Sequence, residues 1–156
     1  MVFELAELKK KYNEHEKKFN IPSFEKLNED FEIDKIDKES ECFLRVVRKV
    51  MMEKIVNSLN FLDMLSNPVN APRIYYSFLK GMGSEDKKAI DEIYIKLGQL
   101  SIESLALEIE YDEKKEAEMI KRSFNDWNSA KPKFKKLMEH IKKPNGEIKK
   151  ERSYYG

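Results

Sequence analysis

Glycine and proline are scarce in this chain of 156 residues, with five of each. Sandwiches and barrels of β-strands need many turn residues, so this scarcity argues against an all-β fold. The sequence also contains no run near the roughly 18 apolar residues that a membrane-spanning helix requires. Acidic residues near the start of MVFELAELKKKY argue against a secretory leader. We therefore expect no membrane association.

Cysteine and histidine are also rare. The single cysteine, Cys42, excludes an internal disulfide, and a free thiol beside an apolar run suggests the reducing cytoplasm. Two histidines and one cysteine cannot supply a zinc site of the usual spacing. Neither His15 nor His140 has a glutamate three residues before it, so the ligand motif of di-iron bundles is absent. His15 falls on an apolar stripe and is expected at the edge of the core.

The chain does have many charged residues (38%) and apolar residues spaced by three and four. This spacing predicts amphipathic helices and an all-α fold. We predict a bundle of four principal helices, at about 2–19, 40–66, 85–111 and 113–143, with short helices near 24–31 and 73–80. Residues 1–143 would form a single domain, and residues 144–156 a flexible basic and aromatic tail.

Two long helices have distinctive patterns. In the third, a heptad of apolar residues from Ile90 to Tyr111 has Ser104 in one place, and Ile95, Ile102 and Ile109 form a second seam. Two seams predict two neighbouring helices. In the fourth, the apolar phase continues through Pro132, which predicts one kinked helix; the alternative is two helices broken near Ser129.

The stretch NAPRIYYSFLKGMGSED, residues 70–86, is interpreted as a helical corner. Pro72 suits the first turn of a short helix, Gly81 its C-cap and Ser84 the N-cap of the next helix. The alternative is a phosphate-binding nest at Gly81, Gly83 and Ser84. Capping is favoured, because acids at 85 and 86 would repel an anion.

No catalytic set, cofactor site or metal site is predicted, so an enzyme is the less favoured class. Six acids lie between residues 108 and 118: Glu108, Glu110, Asp112, Glu113, Glu116 and Glu118. They are interpreted as a solvated helix junction. The alternative is a magnesium-dependent nucleotide hydrolase, which would need these carboxylates to converge on an inner face.

The charge of the chain changes sign three times, from acidic (1–42) to basic (43–83), acidic (84–130) and basic (131–156). Alternating blocks favour helices that attract their neighbours. The last block offers an alternative function, nucleic-acid binding by basic side chains with interleaved aromatics. Its candidates are Lys131, Lys133, Lys135, Lys136, Lys142, Lys143, Lys149, Lys150 and Arg152.

The leading hypothesis is a non-enzymatic intracellular interaction or adaptor protein, with a protein partner or with self-association. The first helix has a narrow apolar stripe, which is typical of a peripheral or partner-facing element. Its candidate partner-binding residues are Leu5, Leu8, Tyr12 and Phe19.

Overall fold

The computed structural model describes residues 2–67, 69 and 71–142, except for the side chains of residues 77, 78 and 142. Over these ranges the fold is all-α, as predicted, and has six helices and one short 3-10 turn, Ile33–Lys35. The helices are α1 (Val2–Phe19), α2 (Phe24–Phe31), α3 (Phe43–Ser66), α4 (Arg73–Leu79), α5 (Ser84–Leu107) and α6 (Glu113–Lys142).

The three longest helices, α3, α5 and α6, pack pairwise against one another and form the centre of the bundle. Their inward residues follow the predicted phases. In α5 the buried positions are Ile90, Ile93, Leu97, Leu100 and Ser104. α3 also contacts α2, so its wide apolar arc has neighbours on several sides.

Tyr12 of α1 packs against α2 and the loop that precedes it. Its ring meets Phe24 edge-on at 5.5 Å, and its hydroxyl donates to the carbonyl of Pro22 at 2.6 Å. Ser23 caps α2 by accepting from the amide of Lys26 at 3.4 Å. Glu32, with a φ of 53°, ends α2 in the left-handed conformation. The predicted bounds of these two helices are correct.

α6 runs without interruption through Pro132 for 30 residues. The prediction of one continuous helix is therefore confirmed, and the break near Ser129 is wrong. Ala117, Ile120, Trp127 and Ile141 are buried on one side, which explains why the apolar phase does not change at the proline. The predicted tail, 144–156, lies outside the described residues.

Two observed boundaries differ by a few residues from the approximate predicted ones. α3 begins at Phe43 rather than near residue 40, and α5 ends at Leu107 rather than at 111. The second α5 seam also has no neighbouring helix within the described part of the chain, since Ile95, Ile102 and Ile109 are exposed.

The corner between α3 and α5 contains the short helix α4. α5 begins with Ser84 as its first helical residue, so its N-cap is Gly83 rather than the predicted Ser84. The Asp86 carboxylate accepts from the Gly83 amide at 3.3 Å and lies 2.8 Å from Nδ1 of His140. Asp86 therefore caps α5 and joins it to α6.

None of the helices in the described ranges combines the length and apolar character needed to cross a membrane.

Candidate functional site

The outer face of α5 carries a row of apolar side chains that the described residues leave uncovered. Ile95 is 70% exposed, Ile102 72% and Leu105 68%, and Ile109, just beyond the helix, is 88% exposed. We call these four residues and Gly98 the outer stripe. Contiguous exposed apolar side chains are uncommon on monomeric proteins and typically mark an interaction site.

The outer stripe has the spacing of a helix-packing seam. Positions 95, 98, 102, 105 and 109 alternate by three and four residues, which is the a and d pattern of a heptad. The inner heptad of α5 lies on the opposite side of the helix and is already buried. α5 is therefore apolar on two opposite faces, and the described residues cover only one of them.

Gly98 lies in the middle of the outer stripe, and no close packing among the described residues requires a glycine there. A Cβ atom built at this position would meet no atom within 4 Å. Its φ is not positive either, so the backbone does not require glycine. In a helix interior glycine is about 1 kcal/mol less favourable than alanine. What glycine does provide is room for a close backbone approach.

Charged residues beside the outer stripe are paired with α6. Three such pairs join the two helices: Lys133–Glu92 at 3.1 Å, Lys96–Asp126 at 3.7 Å and Arg122–Glu103 at 3.1 Å. These contacts engage three charged residues of α5 within the chain, and the five positions of the outer stripe are themselves uncharged. A low density of charge is typical of the centre of a protein interface.

A buried polar cluster holds the inner side of α5 in place. Arg48 of α3 is 1% exposed, and Glu116 of α6 is fully buried. Arg48 donates to the carboxylate of Glu116, to the hydroxyl of Ser104 and, at 2.7 Å, to the carboxylate of Glu108. We call these four residues the Arg48 cluster. It links all three central helices through charge-assisted hydrogen bonds.

Two arginines of α3 also explain where α5 ends. Arg45 donates to the carbonyl of Leu107 at 2.8 Å, and Arg48 donates to the carbonyl of Ser104 at 3.4 Å. The last carbonyls of a helix lack partners within the helix, and positive charge is favourable at that end. The arginines satisfy these carbonyls, so α5 can end at Leu107.

The charges of the Arg48 cluster stabilise one another. Burial alone would lower the pKa of Arg48, but hydrogen bonds to Glu116 and Glu108 outweigh it and raise that pKa. The hydrogen bond from Arg48 lowers the pKa of Glu108. Both groups stay ionised at neutral pH, and the guanidinium is occupied on all sides. This arrangement suits a structural anchor rather than an acid or base.

The predicted partner-binding residues occupy different environments. Leu8 and Tyr12 are buried, and Phe19 is packed against the core. Leu5, in contrast, is about one third exposed. Leu5 and Leu8 line a groove of about 800 Å³ between the start of α1 and residues 34–39. The apolar stripe of α1 therefore serves the protein's own core for much of its length. Its role toward a partner stays a prediction.

The predicted nucleic-acid-binding residues are only partly described. Lys131 pairs with Asp30 of α2, and Lys133 pairs with Glu92 of α5. Both lysines are therefore engaged in ion pairs within the bundle. Lys135 and Lys136 are exposed. The remaining candidates lie outside the described side chains: Lys142, Lys143, Lys149, Lys150 and Arg152.

The acidic segment 108–118 is less solvated than predicted. Glu116 is buried against Arg45 and Arg48, which corrects the interpretation of a solvated junction. Glu113 lies 3.4 Å from Lys18 of α1. Among residues 2–67, 69 and 71–142, no three His, Cys, Asp or Glu side chains form a group that could hold a metal ion.

His15 occupies the predicted position at the core edge. Its Nδ1 is 2.9 Å from the carbonyl of Lys11, and its ring is 5.3 Å from that of Phe43. Cys42 is half-buried at the start of α3.

A groove of about 700 Å³ lies between α2, α3 and the second half of α6. Apolar side chains, among them Phe61, Phe134 and Met138, form much of its lining. Its central cation, Lys54, donates to the carbonyl of Asp30 and lies 5.4 Å from the Trp127 ring. That amine is therefore already engaged within the protein, while Glu53, Asn57 and Ser58 add further polar side chains to the lining.

Comparison of the chain with protein-family models, with curated proteins and with solved structures found no match. The functional interpretation therefore depends on the geometry of the outer stripe and of its supports.

Sequence reasoning found the members of the outer stripe except Gly98 and Leu105, but it placed the seam against another helix of the same chain. It missed the Arg48 cluster. Two signals were present: Arg48 interrupts the apolar arc of α3, and Ser104 occupies an apolar place of the inner heptad. Their connection needs the three-dimensional arrangement, because the two residues are 56 positions apart.

Proposed function

We propose that this chain is a non-enzymatic interaction protein that binds an amphipathic helix through the outer stripe of α5. The observation that carries the proposal is the exposure of Ile95, Ile102 and Leu105 at heptad spacing on a helix whose inner face is fully packed. The apolar surface of this row is removed from water only when the apolar face of a second helix packs against it.

A helix fits this surface better than an extended peptide or a small molecule. From Ile95 to Leu105 the row is straight and about 15 Å long at 1.5 Å per residue. The row lies on a helix, and the described residues form no strand whose edge an extended peptide could join. Recognition through residues spaced by three, four and seven positions is typical of helix-on-helix binding.

The buried side of α5 supports this function. The Arg48 cluster and the α5–α6 ion pairs fix the helix to its two neighbours, so the outer stripe is presented on a rigid element. Binding to a preformed surface requires little ordering of the receptor, which favours affinity. We place the protein in the cytoplasm as part of this proposal, on the basis of its free Cys42.

The test compares what the wild-type protein and a doubly substituted form capture from a nuclease-treated lysate of the source organism. Ile102→Glu with Leu105→Glu places two carboxylates in the centre of the outer stripe. Both residues are exposed, so we expect the fold to be unchanged by circular dichroism. We expect partners of the wild-type protein to be lost from the variant, because burying an unpaired carboxylate is unfavourable.

The matched control is Phe3→Glu, which removes an apolar side chain that is 81% exposed at the start of α1. We expect this variant to retain the partners. Retention by the α5 variant together with loss by Phe3→Glu would contradict the proposal and move the site to α1. Partners that disappear on nuclease treatment would favour the nucleic-acid alternative instead.

A further inference from the structure

We infer that the helix bound by the outer stripe is α5 of a second copy of this chain, running antiparallel to the first. This inference deepens the proposed function and depends on it. It rests on two properties of the outer stripe that make it complementary to itself: the position of Gly98 and the arrangement of charges at the two ends of α5.

In an antiparallel pair, each a position lies in one layer with a d position of the other helix. With the two-fold axis beside residue 100, Gly98 meets Ile102 of the second copy, and Ile95 meets Leu105 of the second copy. Gly98, Ile102, Ile95 and Leu105 therefore each have an uncharged counterpart, whereas Ile109 lies opposite Asp91 at the edge of the contact. The empty space at Gly98 receives an isoleucine, and the same contacts repeat on both sides of the axis, as an isologous interface requires.

The flanking positions agree with this arrangement. Gln99 and Ser101 lie beside the axis and meet their own counterparts, so uncharged side chains adjoin the centre. No like charges face each other along the outer stripe.

A parallel pair lacks these advantages. It would set Gly98 opposite Gly98 and leave a gap, because parallel dimers align identical heptad positions. It would also set Asp91 opposite Asp91 and Lys88 opposite Lys88, which are the preceding d and a positions and are exposed. Like charges in contact are unfavourable, so the antiparallel orientation is preferred.

The expected dimer is reversible. One helix face is smaller than the roughly 800 Å² that each partner contributes to a standard interface. We therefore expect a dissociation constant in the micromolar range.

Sedimentation equilibrium of the full chain tests the inference over about 1 µM to 500 µM. The mass should rise from that of one chain, 18.5 kDa, toward twice that value. Ile102→Glu should weaken association at least about tenfold, and Phe3→Glu should leave it unchanged. A wild-type chain that stays monomeric throughout this range would overturn the inference.

Gly98→Leu provides a second variant that does not depend on introduced charge. A Cβ atom at Gly98 meets nothing within 4 Å among the described residues, so we expect the leucine variant to keep the fold, which circular dichroism checks. The added side chain occupies the space meant for Ile102 of the second copy, and association should weaken about tenfold or more. Stronger association would show a nonspecific apolar contact, since leucine adds apolar area, and would overturn the close approach at Gly98.

Cross-linking determines the orientation. In a Cys42→Ser background, Gln99→Cys should form an interchain disulfide readily, because residue 99 lies beside the two-fold axis. Asp91→Cys should not, because the two residues would be displaced by about 27 Å along the helices. The reverse result would establish a parallel pair and overturn the antiparallel arrangement.

These outcomes separate the inference from the proposed function. If the chain is monomeric, yet a different protein binds wild type and is lost from the Ile102→Glu and Leu105→Glu variant, only the inference fails. If the same variant loses neither self-association nor any partner, both fail.

Discussion

Arg48 is the side chain that most directly fixes the position of α5. It is buried together with Glu116, and its hydrogen bonds reach α5 and α6 at once. A buried ion pair contributes little net stability when intact, but loss of one partner leaves an uncompensated buried charge. The effect of a substitution here should therefore be larger than a count of contacts would suggest.

We predict that Arg48→Met lowers the free energy of unfolding by about 3 to 5 kcal/mol at neutral pH. The physical reason is that Glu116 keeps its buried position and loses its principal partner, while Ser104 and Glu108 each lose a donor. Equilibrium denaturation in urea measures the change.

Arg122→Met is the control, because it removes a pair with Glu103 that is about half exposed. Surface pairs contribute at most about 1 kcal/mol, so this variant should be nearly neutral. Equal effects of the two substitutions would contradict the role given to Arg48. Adding Glu116→Leu to Arg48→Met should recover much of the lost stability, since no unpaired buried carboxylate then remains.

Residue types and spacing predicted many individual environments. The position of His15 in an apolar stripe indicated a core-edge residue, and its ring does pack on Phe43. The same pattern could not show whether Leu8 and Tyr12 face the chain's own core or another protein. Periodicity identifies a buried face and carries no information on which molecule covers it.

At the scale of helices, α6 shows that the periodicity of apolar residues can predict a continuous helix even across a proline. Its apolar residues keep one phase on both sides of Pro132, and the helix is continuous. Proline in a helix interior removes one hydrogen bond and crowds the preceding turn, at about 3 kcal/mol. Packing of Trp127 and Ile141 on the core offsets this penalty.

We predict that Pro132→Ala raises the free energy of unfolding by about 2 kcal/mol, because alanine restores the hydrogen bond and relieves the crowding. The gain is smaller than the full penalty since proline also restricts the unfolded chain. Thermal or urea denaturation measures it. Lys135→Ala, at an exposed position one turn further on, should change stability by less than about 0.5 kcal/mol. A loss of stability in Pro132→Ala would show that the core needs the local geometry of proline.

For α5, the sequence did not predict which apolar face is covered or where the helix ends. Both of its seams were visible, but only the inner one is covered by α3 and α6. Its end at Leu107 could not be predicted, because the residues that satisfy its last carbonyls, Arg45 and Arg48, are about 60 positions earlier. Local signals describe the helix, whereas its length is set by tertiary contacts.

At the scale of the whole molecule, the alternating charge blocks have the predicted role. Ion pairs connect blocks of opposite sign: Asp30 with Lys131, Arg48 with Glu116, and Glu92 with Lys133. Charges of opposite sign from different blocks are thus matched within the molecule. The outer stripe takes no part in these ion pairs and is an exposed apolar surface. The proposed function is based on this surface.

The most direct test of this account is a methyl NMR dilution series on the protein labelled at isoleucine δ1 methyl groups, from about 1 mM to about 10 µM. The account predicts that the methyl signals of Ile95, Ile102 and Ile109 shift together with concentration. The buried Ile90 and Ile93 of the same helix serve as internal controls and should stay fixed. Fixed signals from all three exposed isoleucines, or a concentration-dependent shift confined to residues outside α5, would contradict self-association through the outer stripe.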